Sequence, residues 1–531
     1  MVADMTAQYP SLYFRRYLEG KHFDWICKYK SVSGYPNNSN LPENRYIRNW
    51  LIEEGLDVGD YSFARGDTHT SFNATSKYSR DSPTYNMAAF NKAWRMVAQS
   101  WSVCQGARLA FDYMDYFDLQ TSPGYPYSLF YQTKEKALAE EEIRQHVDDC
   151  FWGFKFDGIW TTRCKKEPKK KSKILSHNSR VILANPMNTQ AAGIRLFGPM
   201  NLRIYELARK HMIPCTVGLS KFYKGWHYLY LRLKRGNLFK RGLELDYAGF
   251  DGSCSIEEFT QVMNIRFNLL DAKLQTAEVL SAMQRYYAEV VHTRILMDTG
   301  ELIRKHTGNP SGQINTILDN CMINEFRWYY AWCLITEESM HNLDDFRRYC
   351  ELVTCGDDSL LTVHPEIEDV FTPHKIFNIF KDHGWEPKFG LTTGWQPVET
   401  LSYCSQHFKW MYGYVVPVPN NKEKLMASLL YGGNKRNVRE TLGRLLGVKI
   451  ESYFLTGFRS ALDRLISELF ERHFLSLRQP ADKNEFSYNE LLILNRDFVS
   501  AYSLYLDESE HTAHVSAGPV PRFSDDHIQD I

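Results

Sequence analysis

The stretch VTCGDDSLLTV, residues 353–363, sets Asp357 and Asp358 side by side behind Gly356 and between two apolar runs. Both flanks are short and aliphatic, and Gly-Asp-Asp is turn chemistry, so the segment predicts a strand–turn–strand hairpin. Two carboxylates at the tip of a buried hairpin repel one another and lose hydration. The tripeptide alone is equally at home in an ordinary surface turn. What decides between these readings is whether other residues converge on it.

LELDYAGFDGS, residues 243–253, ends a strand-like alternation at Asp246 and places Asp251 five residues on, before a helical pattern. Ser255 and Glu258 have capping-box spacing at the start of that helix. If the two strand ends are neighbours, Asp246 and Asp357 meet. Paired carboxylates suit hard cations, Mg²⁺ or Mn²⁺, better than zinc. Two such ions roughly 3.5–4 Å apart form the clamp used for in-line nucleotidyl transfer.

GNPSGQINTILDN, residues 308–320, supplies a third element. Ser311 and Gly312 fall at a turn, and the pattern predicts a long helix through residues 313–332. Gly312, Thr316 and Asn320 then share one polar face of that helix. The plainer reading makes Ser311 an N-cap and the rest exposed polar residues.

The whole chain, 531 residues with 63 basic and 63 acidic side chains, carries no net charge. A polyanionic partner must therefore meet a local basic patch, and one exists. Residues 163–173 hold six lysines and one arginine. Eleven cysteines without a CxxC pair suggest a reducing compartment and no structural zinc. With no signal peptide and no 18-residue apolar run, a soluble cytosolic protein is expected. Residues 1–240 read as irregular and aromatic-rich. HKIFNIFKDHG reads as a helix stopped by Gly384. Residues 420–506 read as helical, and 516–531 as a loose tail.

Taken in order, Asp246-x4-Asp251, Ser311-Gly312-x3-Thr316-x3-Asn320 and Gly356-Asp357-Asp358 resemble the palm motifs of positive-strand RNA virus RNA-dependent RNA polymerases. TSPGYPYSL (121–129) looks like the template-entry motif of the picornavirus-like members. CKKEPKKKSKILSHNSRVI (164–182) resembles their basic fingers motif. The resemblance points to the picornavirus, calicivirus and astrovirus group, leaning to an astrovirus-like or picorna-like member. Cys355 departs from the tyrosine common before Gly-Asp-Asp there.

The resemblance implies an α+β right-hand fold in its closed form. Fingers would occupy 1–240, the palm 241–410 with a fingers insertion near 265–300, and the thumb 411–515. Asp246, Asp357 and Asp358 would hold two Mg²⁺ or Mn²⁺ ions. Asp251 and Asn320 would bond each other and read the ribose 2′-hydroxyl, aided by Ser311, with Thr316 also among the nucleotide-binding residues. Lys166, Lys173 and Arg180 would contact the triphosphate, and Lys388 would protonate pyrophosphate. Ser122, Pro123 and Gly124 would form a rigid turn beside the template. Expected partners are RNA template and primer, ribonucleoside triphosphates, a viral protein primer and other replication proteins. The expected location is the host cytoplasm, at membrane-associated replication complexes reached through partners. A reverse transcriptase or other palm nucleotidyltransferase is the nearer alternative, disfavoured by Asn320 and Ser311-Gly312. A non-catalytic RNA-binding scaffold is the other.

Overall fold

A computed structural model describes residues 9–29, 43–64, 66–153, 158–388, 394–411, 413–431, 437–482 and 485–497. The expected tail, 516–531, lies outside them. The central sheet has four antiparallel strands in the order Gln396–Pro397, Arg241–Leu245, Asp358–Val363 and Cys350–Cys355. Ser359 pairs with Leu245, and Asp358 with Cys355. Asp246, one residue past Leu245, and Asp357, in the turn, therefore lie at the same end of neighbouring strands. The convergence that the sequence leaves conditional follows from this register.

The two hairpin strands are buried on both sides, which explains their continuous apolar runs. Leu352 and Leu361 face one core, with the helix Thr316–Ile335, while Val353 and Leu360 face another, with Trp226, Leu229 and Phe408. The helix Thr316–Ile335 is buried almost throughout and packs along Met87–Trp101. It begins at Thr316, not at 313. Asn315 is its N-cap, without a side-chain capping bond. Gly312 and Ser311 thus precede the helix, and Ser311 caps nothing there. The capping box at Ser255 and Glu258 is present. Gly384, at φ +68, closes Pro373–Asp382, with its N–H on Lys381 and that of Trp385 on Phe380, a Schellman closure.

Residues 1–240 are not irregular. They include the 23-residue helix Met187–Arg209, which runs through Gly193, Gly198 and Pro199. Each reads as a breaker, yet each has a partner in space. The Arg195 carbonyl, whose ordinary helical donor Pro199 lacks, accepts instead from the Ala110 N–H at 2.9 Å. A Cβ on Gly193 would stand 2.7 Å from both Ile314 Cγ2 and the Tyr286 hydroxyl, so that glycine permits close packing. Burial of Ala192, Leu196, Phe197 and Met200 outweighs a proline penalty of about 3 kcal/mol.

A five-stranded sheet, ordered Phe23–Lys28, Glu301–Lys305, Arg294–Leu296, Ile159–Cys164 and Val181–Ala184, carries the basic stretch between its last two strands. Farther along, the helices Lys422–Leu430, Val438–Glu451 and Thr456–Arg472 share a separate core. Ile47, Trp50 and Leu51 of the helix Arg45–Glu53 are buried within it. No described helix is long and apolar enough to cross a membrane.

Candidate active site

The hairpin tip is held from below by the central helix. Asn324 donates its side-chain amide to the carbonyls of Gly356, at 3.1 Å, and Asp357, at 3.0 Å. Gly356 takes the left-handed conformation, φ +62, and its N–H points at Cys321 Sγ. Asn324 continues the four-residue spacing of Thr316 and Asn320, a signal the sequence contained but the motif did not mark. Burial and the nearby Asp246 raise the Asp357 carboxyl above its ordinary range. Burial, Asp357 and Asp246 push Asp358 up to about 7. The chain thus concentrates negative charge at one point.

Asp246 is half-exposed and accepts from Lys388 Nζ at 2.7 Å, while the Lys388 N–H bonds the Asp246 carbonyl. Lys388 is therefore fixed beside the acidic cluster. Among the described residues no three His, Cys, Asp or Glu side chains form a ready metal-holding group. The donor chemistry nevertheless fits a hard divalent cation: carboxylate oxygens alone, two of the groups driven toward protonation by burial and by their neighbouring carboxylates.

Before this tip lies a cavity of 1420 Å³, lined by Asp357, Asp358, Asp251, Ser311, Thr316, Asn320, Lys166 and Arg180, among others. Asn320 Nδ2 donates to Asp251 Oδ1 at 2.8 Å, so the pair expected to read a sugar is in contact. Burial first, and then Asp357, push the Asp251 carboxyl up to about 6. Behind the pair stands a buried network that the sequence reading did not anticipate. Asn309 Nδ2 donates to Asn320 Oδ1 and its N–H to the Asp251 carbonyl, at 2.9 and 2.7 Å. Gln313 Nε2 lies 2.9 Å from Asn309 Oδ1 and 3.0 Å from Asp319 Oδ2, and Asp319 accepts from Arg266. Lys305 Nζ reaches the carbonyls of Val290, Val291, Thr307 and Gly308, tying the loop that bears Asn309 to the end of the helix Ala277–Val291. The Ser311 hydroxyl accepts from Leu183 N–H, and the Thr316 hydroxyl turns back on Pro310 and Gln313.

Also lining the cavity, Glu167 gathers Lys169, Arg180 and Lys165 at 3.0, 3.6 and 3.8 Å. Arg180 and Lys166 remain exposed on the cavity wall. Lys173 lies exposed on the short helix Lys171–Leu175 and is not a wall residue, and neither are Asp246 and Lys388. Nor do Ser122, Pro123 and Gly124 line the cavity; Thr121 does. Gly124, at φ +71, is needed for a close approach, but to the chain itself. A Cβ there would stand 2.6 Å from the Asn185 carbonyl, and Met187 N–H bonds the Pro123 carbonyl.

The sequence profile described as viral RNA-dependent RNA polymerase matches residues 20–470. The non-structural polyprotein 1AB of ovine astrovirus 1 is 28% identical over 371 residues, 67% of this chain and 27% of that polyprotein. Its counterpart from mink astrovirus 1 is 26% identical over 434 residues, 75% of this chain and 30% of the polyprotein. The chain thus spans less than a third of the length of these relatives. Among solved structures, a sicinivirus 3Dpol RNA-dependent RNA polymerase superposes with a TM-score of 0.66 at 15% identity, covering 90% of this chain and 99% of its own. That likeness shows the fold, an α+β right-hand polymerase.

Proposed function

Given that this chain belongs to the viral RNA-dependent RNA polymerase family, we propose that it copies an RNA template by adding ribonucleotides to a primer 3′ end, with the site assembled around Asp357. The observation that carries the reading is the meeting of two independent sets at one cavity. Asp357 and Asp358 line it together with the bonded pair Asp251–Asn320.

Asp246, Asp357 and Asp358 would hold Mg²⁺ or Mn²⁺. Bound there, such ions lower the pKa of a primer hydroxyl and offset the charge of a triphosphate. The protein's own groups do the rest. Arg180, positioned by Glu167, offers a planar guanidinium to phosphate oxygens, and Lys166 a second cation on the same wall. Asp251 and Asn320 present an acceptor and a donor to a ribose 2′-hydroxyl. A deoxyribose leaves the pair's remaining amide hydrogen and carboxylate oxygen unmatched, which is a basis for rejection. Lys388 Nζ, beside Asp246, is placed to give a proton to departing pyrophosphate. On the same reading the fingers fall within 1–240, the palm within 241–410 and the thumb within 411–515. RNA template and primer, ribonucleoside triphosphates and viral replication proteins are its partners. It works in the host cytoplasm, at replication complexes that it reaches through those partners.

Extension of a short RNA primer on an RNA template, with the wild-type chain beside Asp357→Ala and Asp246→Ala, tests this directly. Extension by the wild type alone, with deoxyribonucleotides poorly used, is expected. Binding of primer–template without extension under Mg²⁺ or Mn²⁺ would sink the catalytic reading and leave a scaffold.

A further inference from the structure

A second cavity, of 390 Å³, lies at the free edge of the central sheet, against Cys350, Glu351 and Leu352. It shares no wall residue with the larger one. Its origin is a ladder that stops. Thr354 N–H bonds the Pro214 carbonyl and Thr216 N–H bonds the Thr354 carbonyl, so residues 214–216 run parallel to this edge. The next rung would need an N–H from Pro214, which has none. The segment peels away there, and Met212, Ile213 and Leu352 form the apolar part of the wall.

The polar part is cationic. Arg232, Arg235 and Arg347 face the space together with one carboxylate, Glu351. Arg232 Nε takes one Glu351 oxygen at 2.6 Å, and Arg235 takes the other through Nε and Nη2 at 2.9 and 2.6 Å. The Arg347 side chain donates to Ser100 Oγ at 3.4 Å, its carbonyl accepts from Arg235 Nη1 at 2.6 Å, and its guanidinium forms no ion pair with a described carboxylate. The buried Glu325, which feels the Arg347 guanidinium, is not a wall residue; burial raises its carboxyl pKa and that guanidinium opposes the rise. Within the wall one carboxylate faces three guanidiniums, a local excess of positive charge in a concave, half-apolar space.

We propose that this cavity binds a small phosphomonoester of nucleoside monophosphate size. A phosphate monoester carries about −1.5 to −2 charges near neutral pH, opposite in sign to that excess, and guanidinium forks suit its oxygens. The volume sits at the low end of small-molecule sites, too large for the phosphate alone. The wall of Met212, Ile213 and Leu352 receives the organic body. This assignment stands whether or not the chain extends primers.

Photolabelling of the full chain with azido-AMP, followed by peptide mapping, tests it. Label is expected in peptides containing 211–214 or 346–352, displaced by AMP and by inorganic phosphate but not by adenosine. Arg235→Gln with Arg347→Gln should lower that label at least tenfold, with melting temperature and labelling of the larger cavity unchanged. If the double variant melts early, Arg347→Gln alone decides, since that side chain is exposed and weakly bonded. Label confined to the larger cavity, displacement by adenosine as readily as by AMP, or equal labelling of the folded variants overturns the proposal.

Discussion

Asn309 donates its side-chain amide to Asn320 Oδ1 at 2.9 Å, and so fixes which way Asn320 faces. With its oxygen engaged from behind, Asn320 must turn Nδ2 toward Asp251. Asn309 has no side-chain bond to Asp246, Asp357 or Asp358, yet it sets the donor and acceptor order of the pair proposed to face the sugar. Asn309→Leu should therefore retain primer extension with ribonucleotides while the ratio of ribo- to deoxyribonucleotide kcat/KM falls about tenfold. Stability should drop by about 1–3 kcal/mol, since Gln313 and Asn320 lose a buried partner. An unchanged ratio in a folded variant would show that Asn320 needs no external orientation.

Asp251 gives a pH dependence of definite sign. Its folded-state value, about 6, lies above the ordinary 3.8 because burial and Asp357 disfavour the anion. The fold thus favours the protonated form. That stabilisation is present below pH 4 and is lost as pH rises through 6. Asp251→Asn should melt above wild type at pH 8, by at most about 3 kcal/mol of stability, and match it near pH 4. Sugar discrimination by the wild type should rise between pH 5 and 7.5 and stay flat in the variant. Parallel profiles for the two proteins would refute the assignment.

Lys388 competes with any cation for Asp246. Replacing it by Met should lower severalfold the Mn²⁺ concentration that half-saturates a thermal shift, because an ammonium 2.7 Å from Oδ2 is removed. Primer extension should fall about tenfold in the same variant. Opposite signs for binding and turnover are the signature; a fall in both would mean that Lys388 only shapes the loop. Asp357→Asn should abolish the cation-dependent shift.

Gly312 meets a steric limit rather than a conformational one. A Cβ there would lie 2.1 Å from the Leu183 carbonyl oxygen. Gly312→Ala should cost about 2–3 kcal/mol, by displacing the turn against the strand Val181–Ala184. Urea unfolding measures it, and a loss below 0.5 kcal/mol would show that the turn shifts freely.

Much of the site could be read in advance because it depends on short-range pattern. The hairpin around Asp357, the strand ending at Asp246, the Ser255 cap and the Gly384 stop are local features, whereas the register that joins the two aspartates pairs strands far apart in the chain and stays conditional in the sequence. The misses have other causes. Pro199 and Gly193 look like breakers until Ala110 and Tyr286 arrive from elsewhere. Asn309 and Gln313 look like turn residues until four further polar groups surround them. Lys173 shares a charge run with Lys166, but a five-residue helix separates their directions. For Asn309 and Gln313 the deciding partners lie nearby along the chain, but for Pro199 and Gly193 they lie far away in it.

The same distance has a consequence for how the protein is made. Ile47, Trp50 and Leu51 complete a core whose other members include Leu442, Leu446, Leu462 and Leu465. During translation these partners follow roughly four hundred residues later, a delay of roughly 20–80 s at ordinary elongation rates. Over that interval an apolar helix face waits without its cover, open to chaperones and to self-association. Contacts of such sequence separation also place this closure among the slow steps of folding.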